Sequence, residues 1–198
     1  MKKAILSMLF VALVTVIALH ACSSKNNEKK SDTLSYSAAG NEDLVKRGGY
    51  LVSVMGCEDC HSPKKMGPNG PELEPELRLS GYPSSRPLPS VDSNVIKKGW
   101  ILFTDDLTAG VGPWGVSYAA NITSDETGIG NWTEDQFRKA LTEGKWKGMD
   151  NGRTLLPPMP WQTFSNLTPE DVKAIFLFLK STNPVKNIEP PVQSLNAL

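Results

Sequence analysis

Met55-Gly56-Cys57-Glu58-Asp59-Cys60-His61-Ser62-Pro63 is the stretch on whose reading the fold turns. It places two thiols two residues apart with an imidazole directly after the second. Upstream, an apolar stripe at Leu44, Gly48, Leu51 and Met55, with Val45 and Val52 beside it and Lys46 and Arg47 on the other side, predicts a helix over 42–55. Gly48 and Gly49 in its middle each cost about 1 kcal/mol relative to alanine. They mark either a close approach of another backbone or a break of the helix in two. Downstream, residues 62–120 hold most of the prolines and many of the glycines, as in Pro68-Asn69-Gly70-Pro71, Gly81-Tyr82-Pro83 and Gly110-Val111-Gly112-Pro113. A long loop region is expected there, of a length that suits a chain wrapping a large apolar object. The same reading allows a short strand pair near 98–103 and 115–119.

The ligand inventory is short: the cysteines are Cys22, Cys57 and Cys60, and the histidines are His20 and His61. Taken alone, Cys-x-x-Cys suits a redox dithiol, half of a zinc site or the covalent attachment of a haem. A zinc site needs further soft ligands, which this chain scarcely has. A dithiol oxidoreductase ordinarily sets its motif between a strand and a helix, whereas here a helix precedes and a proline-rich loop follows. Two thiols at this spacing can reach the two vinyl groups of one porphyrin edge, and the adjoining histidine is carried under the iron. The expectation is one haem c, held covalently by Cys57 and Cys60, with His61 as proximal ligand.

Met1-Lys2-Lys3 followed by an apolar run from Ala4 to Leu19 has the form of a secretory leader over 1–21. A membrane-spanning helix would need about 20 apolar residues, more than this run supplies. Leu19-His20-Ala21-Cys22 is similar to a bacterial lipobox, with histidine unusual at its position. Cys22 is then the lipid attachment point. The alternative is that it leaves with the leader or stays a free thiol. Residues 22–40 are too polar to fold alone and read as a flexible tether, reaching on the order of 25 Å. The expected location is the bacterial cell envelope, facing the periplasm and anchored to a membrane. Lys plus Arg and Asp plus Glu both number 21, so there is no overall basic field to attract nucleic acid.

Loss of His20 with the leader leaves no second histidine for the iron. Among the methionines, Met55 lies just before the motif and Met66 just after it, so neither easily reaches the opposite haem face. Met149 and Met159 both precede the last predicted helix. Met159 is the better candidate, because Leu156-Pro157-Pro158-Met159-Pro160 has a proline-stiffened backbone that holds a thioether at low entropic cost. The competing role is a buried gap-filling side chain, and for Met149 that role is the favoured one. With both axial positions filled, electron transfer follows more naturally than catalysis. The open alternative is a haem enzyme or gas sensor with a labile sixth ligand.

Thr133 with Gln136 forms a capping-box signature opening a helix up to Gly144, and Thr168-Pro169-Glu170-Asp171 opens a last helix ending near Ser181. The five tryptophans read mainly as core residues, with Trp161 the best candidate for haem contact. Lys64, Lys65, Lys97, Lys98, Lys145 and Lys147 read as solvated surface, and Asn121 as a turn or cap residue.

Across most of its length the chain resembles class I cytochrome c, especially the cytochrome subunits of bacterial dehydrogenase systems. The resemblance is carried by the haem motif, by Arg47-Gly48-Gly49-Tyr50-Leu51, by Ala120-Asn121-Ile122-Thr123 with Gly128-Ile129-Gly130 and Trp132, and by Met159-Pro160-Trp161. It implies an all-α cytochrome c fold over 41–191, with a tail at 192–198. It further implies N- and C-terminal helices that cross, a haem crevice between them, Met159 as distal ligand and a long loop insertion. The implied partners are redox proteins: a dehydrogenase, an oxidase or another cytochrome. Related subunits often carry two or three haem domains, whereas this sequence has a single Cys-x-x-Cys-His.

Overall fold

The computed structural model describes residues 40–197. The leader read over 1–21, Cys22, and all but the last residue of the tether over 22–40 lie outside the described residues. In chain order the elements are α1 (Asn41–Val54), α2 (Cys57–His61), β1 (Lys64–Gly67), β2 (Gly70–Leu73), α3 (Ser93–Lys97), β3 (Leu102–Phe103), β4 (Ala109–Gly112), β5 (Gly115–Tyr118), α4 (Glu134–Glu143), α5 (Trp161–Phe164) and α6 (Pro169–Lys180).

Each of the three longer helices begins and ends for a local reason. Glu42 and Asp43 occupy the first turn of α1, where the helix dipole favours acids. Thr133 and Gln136 cap α4 reciprocally, and Gly144 ends it in the left-handed conformation at φ 66°. Thr168 Oγ accepts from the Asp171 amide at 3.1 Å at the start of α6, with Pro169 in the first turn. α1 buries Leu44, Gly48 and Val52, and α6 buries Val172, Ala174, Ile175, Phe176 and Leu179. The two helices meet at the glycine pair. A Cβ on Gly48 would overlap the Ala174 carbonyl, and one on Gly49 would press on the Phe178 ring. The pair therefore marks a close crossing within one unbroken helix. Ile129, Phe137, Leu141, Phe164 and Leu79 complete the main core around this crossing.

The all-α expectation is wrong: the described residues also form two antiparallel sheets. β1 and β2 make a hairpin in which Met66 faces Pro71 and Gly67 faces Gly70. A second sheet runs in the order β3-β4-β5. The expected pairing of the 98–103 and 115–119 segments is also corrected, since both lie against β4 and not against each other. The physical reason is the same in both sheets. Each strand has at most four residues, too few for alternation to emerge, and glycine and proline inside them read as turns. Pro71 is tolerated because each strand of a two-stranded sheet has a free edge. The second sheet has its own small core of Ile96, Val111 and Val116. Gln193 pairs with Val116 through backbone bonds of 2.8 and 3.3 Å, drawing the C-terminal segment onto β5. No helix among the described residues is long and apolar enough to cross a membrane.

Candidate haem site

Gly56 adopts φ 69°, which turns the chain out of α1 and starts the single helical turn α2. That turn carries both thiols and the imidazole. Cys57 and Cys60 are half-buried and unbridged. Burial pushes the Cys57 thiol up to about 11, with the neighbouring carboxylate of Glu58 adding to the effect. Burial and then the Asp59 carboxylate raise the Cys60 thiol as well, against the opposing charge of Lys64. A redox dithiol works through a depressed pKa, the opposite of the shift at Cys57.

His61 is pinned on two sides. Its Nδ1 lies 2.8 Å from the Ala120 carbonyl, and its own carbonyl accepts the Gly81 amide at 2.8 Å. Because a carbonyl can only accept, Nδ1 carries the proton, and in the neutral ring Nε2 is left as a lone-pair donor. Loss of water around the ring lowers the histidine pKa, partly offset by the Ala120 bond, which favours this neutral form. Behind it, Ile122 donates to the Leu79 carbonyl at 3.0 Å and Tyr82 to the Ala119 carbonyl at 2.9 Å, so the segments at 79–82 and 119–122 lie side by side. A Cβ on Gly81 would overlap the Ala119 and Ala120 backbone. The Leu79 amide in turn donates to Ser62 Oγ at 2.9 Å.

Lys64 is not the solvated lysine expected. Its ammonium donates to the carbonyls of Asp59 at 2.6 Å, Ser62 at 3.0 Å, Asp106 at 3.0 Å and Glu58 at 3.4 Å. It thus satisfies carbonyls at the C-terminal end of α2 and ties them to the loop before β4. Arg78 pairs with Glu58 inside the motif.

Met159 is half-buried and packs, like Cys57 and Met55, against the main core. A groove of about 480 Å³ is lined by Met55 and Pro160 together with Thr163, Phe164, Leu167 and Asp171, and Cys57, Cys60, His61 and Met159 are not among its lining residues. Met149 is 44% exposed and Met66 63% exposed. Met149 is therefore not a buried gap-filler. Trp161 packs over Gly144 at the end of α4, and Trp100 stands exposed instead of in the core. Asn121 is buried in the turn role expected of it. Its Oδ1 accepts from the Thr123 amide at 2.9 Å, and its Nδ2 donates to the Val185 carbonyl at 2.7 Å. The sequence carried no sign of the roles of Ser117 and Asn187, which contact the site's supports from far along the chain.

The donor set fits a covalently attached haem: two thiols and a neutral imidazole on one helical turn, with Nδ1 committed and Nε2 available. Among the described residues no group of three or more His, Cys, Asp or Glu side chains is placed to hold a bare metal ion. The class of protein that such a site fits is the c-type cytochrome. Its homologues are cytochrome c subunits of bacterial dehydrogenases, at modest identity. The chain is 33% identical over 159 residues to the gluconate 2-dehydrogenase cytochrome c subunit of Pantoea cypripedii, covering 77% of this chain and 27% of that protein. It is 31% identical over 147 residues to the cytochrome c subunit of the quinone-dependent alcohol dehydrogenase of Gluconobacter oxydans, covering 73% of this chain and 23% of the other. With the fructose dehydrogenase cytochrome subunit of Gluconobacter japonicus it shares 27% identity over 181 residues, 91% of this chain and 28% of that subunit. The chain thus spans about a quarter of the length of the relatives it matches. No family model matches it.

Proposed function

We propose that this chain is a membrane-anchored, periplasm-facing electron carrier with one haem c, passing electrons between a dehydrogenase and the respiratory chain. The observation that carries the reading is the 2.8 Å contact between His61 Nδ1 and the Ala120 carbonyl, which directs the ring's other nitrogen, Nε2, to act as lone-pair donor beside two unbridged thiols on α2. Cys57 and Cys60 would hold the haem through thioethers, and His61 and Met159 would be the residues that ligate its iron. When bound, the group supplies one-electron exchange at its iron. The chain's own contribution is to exclude other ligands, to orient His61 through Ala120 and Gly81, and to provide a methionine that favours the reduced state. The similarity to dehydrogenase cytochrome subunits supports a dehydrogenase as the redox partner. Acylated Cys22 is the anchor.

The test is made on protein extracted from membranes. Mass spectrometry after denaturation is expected to find one haem retained by the polypeptide and acyl chains on Cys22. Met159→Ala is expected to abolish the red-region sulfur-to-iron band, lower the reduction potential and open the ferrous protein to carbon monoxide, while Met149→Ala does none of these. Rapid carbon monoxide binding by the unaltered ferrous protein at neutral pH would overturn the carrier reading in favour of an enzyme or gas sensor.

A further inference from the structure

The Met159 loop has few backbone donors of its own. Pro157, Pro158 and Pro160 have no N–H, and the Met159 amide makes a bond of 3.3 Å that goes only to the nearby Leu156 carbonyl. Beyond the packing of Met159 on the main core and the Leu155 amide bond to the Gly144 carbonyl at 2.7 Å just before the loop, anchors to residues 157–160 come to their carbonyls or proline rings. The β3-β4-β5 sheet supplies both. Ser117 Oγ, buried on β5, donates to the Pro157 carbonyl at 2.6 Å. The same oxygen accepts from the Trp114 indole N–H at 3.2 Å, and the Gly110 carbonyl lies farther off at 3.4 Å. Gly110 leaves room for the next ring: a Cβ there would stand 3.2 Å from Pro158 Cδ. Gly112 does the same for Trp114, whose indole occupies the place a Cβ would need. All of β4 is buried.

We infer that this sheet is the positioning device for Met159, acting through a relay from the Trp114 N–H to the Ser117 hydroxyl to the Pro157 carbonyl. The inference rests on the assignment of Met159 as an iron ligand. Ser117, Trp114 and Gly110 are positioning residues. They keep the loop from swinging away, and so hold the fraction of molecules with the thioether dissociated at a low value. A donor that is itself hydrogen-bonded is a stronger donor, which gives Trp114 a role although it is remote from the loop.

The experiment uses the ferrous holoprotein, with carbon monoxide as probe of the methionine-dissociated fraction and the sulfur-to-iron band of the ferric form as a second readout. Ser117→Ala is expected to speed carbon monoxide binding by on the order of fivefold to tenfold, the factor that losing one ordinary hydrogen bond produces. Trp114→Phe, which keeps a ring but removes the N–H, gives a smaller increase. Ser117→Thr restores the hydroxyl and matches the unaltered protein. Ile96→Val thins the packing under the same sheet, so it lowers the melting temperature with carbon monoxide binding unchanged. The inference is overturned if Ser117→Ala binds carbon monoxide at the unaltered rate while Met159→Ala loses the band. It is equally overturned if Ile96→Val accelerates binding as much as Ser117→Ala, since the effect would then be general loosening. Retention of the band in Met159→Ala would instead overturn the ligand assignment, and the inference with it.

Discussion

At the scale of single residues, the chemistry of this protein depends on polar groups that are buried and fully engaged. Asp106 is the clearest case, at 1% exposure. It accepts from Thr104 Oγ at 2.9 Å, the Thr108 amide at 3.1 Å and Thr108 Oγ at 2.7 Å, and it pairs with Arg86. Burial pushes its carboxyl up, but the Thr108 and Arg86 bonds outweigh that and hold it below the ordinary value of 3.8. A depressed carboxyl stabilises the fold above its unfolded value, and the contribution is lost as pH falls through the lower folded one. Asp106→Asn is accordingly expected to cost about 1–3 kcal/mol at pH 7. Urea unfolding at neutral and acid pH checks this: the gap between variant and parent closes on acidification. The same residue explains why Lys64 was misread as surface. Nothing local shows that the Asp106 carbonyl folds back over the motif to meet its ammonium.

At the scale of elements, the crossing of α1 and α6 depends on Gly48. Its missing Cβ makes room for the Ala174 carbonyl, a backbone group that cannot rotate away. Gly48→Ala is expected to force the helices apart and cost about 1–3 kcal/mol, despite the better helix propensity of alanine. Gly49→Ala meets only the edge of the Phe178 ring, 3.0 Å away, and is expected to be milder because that side chain can move. Denaturant midpoints of the two variants, compared with the parent, decide the order. Helices and strands differ here in how they could be read. The stripe, the caps and the paired glycines of the helices are all local. The strands are short and four of the five contain glycine or proline, so β4, with the sequence Ala109-Gly110-Val111-Gly112, reads as a turn.

At the scale of the whole molecule, the C-terminal segment closes the structure around the supports of His61. Asn187 Nδ2 donates to the carbonyls of Ser80 at 2.7 Å and Tyr82 at 2.8 Å, on either side of Gly81, and its Oδ1 accepts the Ser84 amide at 3.0 Å. Its own amide donates to Thr127 Oγ at 3.0 Å, and Asn121 reaches its carbonyl at 3.2 Å. One asparagine thus joins the two segments that carry Gly81 and Ala120. Asn187→Ala leaves those groups unpaired and is expected to lower stability by about 1–3 kcal/mol. The check is a shift of the urea midpoint with unchanged slope, since no large surface is exposed.

The sequence by itself brought Cys57, Cys60 and His61 together as the candidate donor set and marked the bounds of the three longer helices, while for the glycine pair it offered two readings between which the Gly48–Ala174 contact decided. The donor set and the helix bounds are properties of neighbours within a turn or two of chain, where spacing translates directly into geometry. The tertiary structure alone decided that the chain is not all-α, that β4 separates two strands expected to pair, and that Ser117 and Asn187 support the candidate ligands. The Ser117–Pro157 and Asn187–Ser80 bonds join residues 40 and 107 positions apart. A serine or asparagine at one end of such a bond looks the same in sequence whether it faces water or a buried carbonyl, because its partner is chosen only when the chain has folded.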